Sequence, residues 1–114
     1  LAAGLLTGKY QDNQVPSGSR LEVTIDTSPN LSGRIGPNTF NAVGDYLRVA
    51  KKFNIDPIHM ALAFCASRKF MGSVIFGATK NKQLSHILKG LDTKLSNELL
   101  LELNNLNRQN PMPI

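Results

Sequence analysis

The chain has 114 residues, 41% hydrophobic and 18% charged, enough for one small domain with a buried core. Thirteen Lys and Arg against eight Asp and Glu give +5, but the excess is scattered, and 6% aromatic content offers little for base stacking, which argues against a nucleic-acid surface. One cysteine excludes an internal disulfide and a cysteine-cluster metal site, and no apolar run reaches the roughly 18 residues of a membrane span.

Leu1 to Leu6 reads as the end of a strand or a buried turn, with Gly4 allowing close backbone approach. It lacks a basic start and runs into Thr7-Gly8-Lys9, so it does not read as a signal peptide, and a cytoplasmic setting is the default. A first residue of Leu rather than Met suggests a longer parent chain. Residues 11–37 are rich in Gly, Pro, Ser and Asn and read as a long loop, interrupted by alternation over Arg20 to Ile25 that suits a short edge strand.

Phe40, Val43, Leu47, Ala50 and Phe53 recur at helical spacing, which predicts a helix over 38–53 that stops at Asn54. Asp56-Pro57 supplies an N-cap and a first-turn proline for a second helix over 57–68, apolar on more than one side. His59 lies in its first turn and reads as a surface or hydrogen-bonded histidine. Cys65 reads as a packing residue, because no neighbour would lower its pKa.

Ser73 to Phe76 is a short β-prone run of the kind a buried parallel strand uses. Gly77 ends it, and Thr79 is placed to cap a helix over 80–89 with Leu84, Ile87 and Leu88 on its stripe and Gly90 as its C-cap. Open amides at such a helix start, with Lys80 and Lys82 in the first turn, make an anion-binding corner. An ordinary turn with solvated lysines fits the same residues. Ser96 caps a last helix over 97–107, and the Pro-rich end leaves it as an irregular tail.

His59, His86, Tyr10, Tyr46 and Asp45 are candidates for acid-base chemistry, but they occur singly, with no metal-ligand spacing, nucleophile elbow or phosphate loop. The pattern is α/β and helix-rich with one strand, which needs neighbours for its amides and carbonyls.

Leu1-Ala2-Ala3-Gly4-Leu5-Leu6-Thr7-Gly8-Lys9-Tyr10, Val15 to Arg20, Asp56 to Phe64 and Ile75-Phe76-Gly77-Ala78-Thr79 through Gln83-Leu84 resemble, in order, segments of the aldo-keto reductase family. Within it they are similar to the bacterial Tas-like reductases and the potassium-channel β-subunit branch. The resemblance implies that the chain is the C-terminal portion of a (β/α)8 TIM barrel that binds NADP. Leu1, Ala2, Ala3 and Gly4 would line the pyrophosphate path, and Lys9 and Arg20 would reach phosphate oxygens. Gly77, Ala78, Thr79 and Gln83 would surround the 2′-phosphate and adenosine.

The implied parent reduces aldehydes or ketones by hydride transfer. The family's catalytic Asp, Tyr, Lys and His belong upstream of Leu1, so the chain alone is expected to be inactive, with no metal ligand. The alternatives are a non-catalytic regulatory or partner-binding subunit and an inactive remnant that associates with itself. Two departures stand out: Gly18 replaces an aromatic hydroxyl of the channel-β pattern, and His86-Ile87 stand where an acidic or polar residue and an adenine-contacting Asn are usual.

Overall fold

A computed structural model describes residues 1–113. Two 3-10 segments, Ala2–Thr7 and Gln11–Asn13, precede five α-helices: α1 (Arg20–Val23), α2 (Thr39–Lys52), α3 (Pro57–Ala66), α4 (Asn81–Leu88) and α5 (Asn97–Gln109). No strand is present among the described residues. The α/β class and the TIM-barrel portion expected from the sequence are therefore corrected to an all-helical fold.

The physical reason lies in strand pairing. Ser73 to Phe76 has strand-like composition, but a strand exists only through hydrogen bonds to a neighbour. Among the described residues nothing pairs with it, and Leu1 to Leu6, read as a strand end or a buried turn, forms the turn. Positive φ at Ala2, Ala3 and Gly4 (48°, 57° and 97°) closes a tight turn in which the Gly4 amide donates to the Leu1 carbonyl at 3.0 Å. The 73–76 segment keeps a strand's alternation without its pairing. Val74 and Phe76 are half-buried, while Ile75 is 92% exposed.

The edge strand expected over Arg20 to Ile25 is also corrected, since Arg20–Val23 forms α1. The signal was in Ser19-Arg20-Leu21-Glu22, an S-x-x-E capping sequence. Ser19 Oγ accepts from the Glu22 amide at 3.3 Å, and the Glu22 carboxylate turns back to accept from the Gly18 amide.

Two apolar clusters make the core. Leu5, Tyr10, Leu21, Leu31 and Val43 form the first, with Phe40 and Leu47 packed against it. Val49, Ala50, Met60, Leu99 and Leu103 form the second, with Tyr46, Phe53, Ile55 and Phe64 around them. Helix α2 contributes to both. It ends in a Schellman turn: Asn54 takes a φ of 51°, its amide donates to Lys51, and the Ile55 amide donates to Ala50 at 2.9 Å. Ile55 then packs on the second cluster, and Asp56-Pro57 starts α3 at once.

Tyr10 is 1% exposed, and its hydroxyl accepts from the buried Leu21 amide at 3.3 Å. It is the pin that holds the long loop to the start of the chain. Tyr10→Phe leaves that amide unsatisfied and should cost about 1–3 kcal/mol in urea denaturation. Unchanged stability would show that the hydroxyl bond is not made in solution.

Candidate functional site

The segment expected to bind an anion and a histidine cluster meet on α4. The corner's cap is built differently from the expectation. Lys80, not Thr79, is the N-cap, and it makes no side-chain cap bond. Thr79 stands one residue before it, where its amide and hydroxyl both donate to Gln83 Oε1, at 2.9 and 3.2 Å. The Gln83 side chain thus folds back over the turn that Gly77 and Ala78 lead into, and that turn is exposed.

The other candidates belong to the first half of the chain. Lys9 lies along Gly4: a Cβ on Gly4 would sit 2.7 Å from Lys9 Cε and 3.0 Å from its Nζ, and the ammonium stands 5.0 Å from the Tyr10 ring centroid. The positive φ of Gly4 favours glycine there, and the end of the Lys9 side chain lies in the space a Cβ would take. Arg20 opens α1 and is exposed. One observed approach joins the two halves of the corner: a Cβ on Gly18 would lie 3.9 Å from Lys80 Nζ. A side chain at this position, where the related pattern has an aromatic hydroxyl, would begin within van der Waals contact of that ammonium.

Cavities lie elsewhere. One of about 480 Å³ is bounded by α3, Val74 and Phe76, and the residues from Ile87 to Leu95. Another of about 240 Å³ lies between Leu6, α2, α3 and α5. Neither is lined by Leu1, Ala2, Ala3, Gly4, Lys9, Arg20, Gly77, Ala78, Thr79 or Gln83. Ile87 is 4% exposed, so the position where Asn was expected to meet adenine faces inward in this fold.

The acid-base candidates are also placed. Asp45 pairs with Arg48. Burial, and then the charge of Asp45, push the Tyr46 hydroxyl above its ordinary pKa, so it stays protonated near neutrality. His59 and His86, read from the sequence as isolated, stack with ring centroids 4.8 Å apart.

Asp56 completes this cluster. It caps α3 by accepting from the Ile58 and His59 amides at 2.9 and 3.1 Å, and its Oδ2 meets His86 Nε2 at 3.0 Å. His59 Nε2 lies 2.7 Å from the His86 carbonyl and donates to it. The Asp56-to-His59 step is a three-residue spacing within one helical turn, a signal present in the sequence and passed over. The His86 contact joins residues 30 positions apart and has no such signature.

Gly90 takes part for a reason the sequence did not suggest. Lys89 is the C-cap of α4, and Gly90 has no positive φ. A Cβ on Gly90 would fall 2.1 Å from Cδ2 of His59, so the glycine makes room for the imidazole.

The comparisons bear on the whole chain. Residues 1–108 match the family model described as "Aldo/keto reductase family". The chain belongs to the aldo/keto reductase family. The Tas protein of Escherichia coli is 35% identical over 103 residues, 90% of this chain and 29% of that protein. A probable voltage-gated potassium channel subunit beta of rice is 36% identical over 93 residues, 81% of this chain and 28% of its own length. A putative subunit of the same description from Schizosaccharomyces pombe is 29% identical across 100% of this chain and 34% of that protein. The aldo/keto reductase segment in hand thus spans about a third or less of these relatives. Among its described residues, no helix is long and apolar enough to cross a membrane.

Two outcomes follow from the cluster. Gly90→Ala forces the His59 ring out of place and should cost about 1–3 kcal/mol by thermal or urea unfolding. His59→Ala should abolish that cost, and an equal Gly90→Ala penalty in both backgrounds would refute the packing.

The second outcome concerns acid. Burial pushes the Asp56 carboxyl up, but the His59 amide, the two nearby histidines and the Ile58 amide outweigh it, and its pKa falls below 3.8. The folded state therefore binds this proton less readily than the unfolded chain. Its stabilisation is complete above the unfolded value and is lost as pH drops below 3.8 through the lower folded value. Asp56→Asn keeps a good cap and should lose less stability over that acid range, as read by urea midpoints. An identical acid dependence in both proteins would contradict it.

Proposed function

We propose that this chain acts as a non-catalytic, partner-binding segment of the aldo/keto reductase family. The observation that carries this reading is its surface. Phe70 and Ile75 stand 85% and 92% exposed, large apolar side chains suited to burial against another protein surface or a second copy. The chemical groups agree with it. The Tyr10 hydroxyl bonds the Leu21 amide, and Asp56, His59 and His86 bond one another, so these acid-base candidates are engaged within the fold. Several relatives carry the name of a channel β-subunit, which is a partner-binding designation.

The corner favours a second reading for a longer parent. There Leu1, Ala2, Ala3, Gly4, Lys9, Arg20, Gly77, Ala78, Thr79 and Gln83 would hold the phosphate and adenosine end of NADPH, and the parent would reduce a small aldehyde or ketone. Lys80 beside Gly18 supports an anion at this place.

Incubating the pure chain with NADPH and a panel of aldehydes and ketones should give no carbonyl-dependent loss of absorbance. Turnover by the chain itself overturns the non-catalytic reading. For the corner, fluorescence titration of the longer parent should show NADPH bound about ten- to a hundredfold more tightly than NADH, the worth of one charge-assisted hydrogen bond. Arg20→Ala and Gln83→Ala should erode that preference. Equal affinity for both cofactors marks the corner as a solvated turn.

A further inference from the structure

Asp56, His59 and His86 carry a second possibility that neither reading uses. One oxygen of Asp56 and one ring nitrogen from each histidine all lie within 4.8 Å of one another. We propose that these three side chains form a binding site for a divalent transition ion of the zinc class, bridging α3 and α4.

The donor set fits that chemistry. Two imidazoles and a carboxylate suit zinc and its borderline neighbours, and three protein ligands leave coordination positions for water. Two of the three donors already have an orienting partner. Asp56 Oδ1 accepts from the Ile58 and His59 amides, which leaves Oδ2 turned toward His86. His59 Nε2 donates to the His86 carbonyl, so Nδ1 holds the free lone pair. A backbone carbonyl on the second nitrogen is the usual support of a metal-bound histidine. Gly90 adds a cradle, because any side chain there would displace the His59 ring.

Loading requires a small change. The cation replaces the proton between Asp56 Oδ2 and His86 Nε2, which are 3.0 Å apart, and the stacked rings must open so that both nitrogens face it. His86 has room to turn, since its side chain is 44% exposed. Asp56 caps α3 and His59 lies on its first turn, so the ion would fasten α4 to that helix through His86.

The test is calorimetric titration of Zn2+ into the tag-free chain near pH 7.5, with Co2+ absorption as the spectroscopic check. Expected is one ion per chain with a micromolar dissociation constant. His86→Asn and Asp56→Asn should each weaken it by about tenfold or more, at least the effect of losing an outer-shell partner. Asp56→Asn keeps the helix cap, and circular dichroism verifies that both variants fold. Cys65→Ser should bind as the parent does. The proposal is overturned by no saturable binding, by binding that survives both ligand variants, or by binding that disappears with Cys65→Ser. None of these results bears on carbonyl reduction, so this proposal and the functional reading fail separately.

Discussion

Helix α2 is the member that both apolar clusters share. Its Val43 belongs to the cluster under the long loop, and Val49 and Ala50 belong to the cluster made with α3 and α5. The extended contacts among elements run through it or through the N-terminal 3-10 segment, which meets both α2 and α3. Gly8 lets that segment approach closely, because a Cβ there would fall 2.9 Å from Leu47 Cδ1. Thr39, 3% exposed at the start of α2, accepts from the Gly36 amide at 2.9 Å and bonds the Pro113 carbonyl at 2.9 Å. The two ends of the described chain therefore lean on the same helix.

Helix α4 is attached differently. It is in none of the extended helix contacts, and Ile87 is its one buried residue. Its register against α3 rests on that side chain and on the bonds of Asp56 and His59 to His86. The corner formed by Thr79, Lys80 and Gln83 rides on the opposite end of this helix, so its position depends on a few polar bonds rather than on a packed face. Such attachment leaves α4 among the elements that open locally most readily.

Local signals were readable where the chain answers to its own neighbours. Asp56-Pro57 and Ser96 each point to a helix start, and both cap through the predicted side chain, Ser96 accepting from the Leu99 amide at 3.2 Å. The spacing from Phe40 to Phe53 finds the face that α2 buries. Features that depend on distant partners were not readable. Ser73 to Phe76 has the composition of a strand, yet strand formation depends on a partner elsewhere, and none is present among the described residues. Alternation over Arg20 to Ile25 pointed to a strand, while the Ser19–Glu22 cap in the same stretch pointed to a helix and prevailed. Of the ten cofactor candidates, the sequence named the residues but not their distances, and an approach between the loop and the start of α4 involves Gly18 and Lys80. Gly90 looked like a helix stop because that is glycine's common use, whereas His59 is what requires it.

Amide hydrogen exchange of the chain tests the helical architecture most directly. With α2 at the centre and 73–76 unpaired, the amides of Val49 and Ala50 should be among the slowest, opening only with global unfolding. Those of Val74, Ile75 and Phe76 should exchange close to the rate of an open chain. Protection of Val74 to Phe76 comparable to that of α2 would contradict the account, because it would mean that this segment is hydrogen-bonded as a strand.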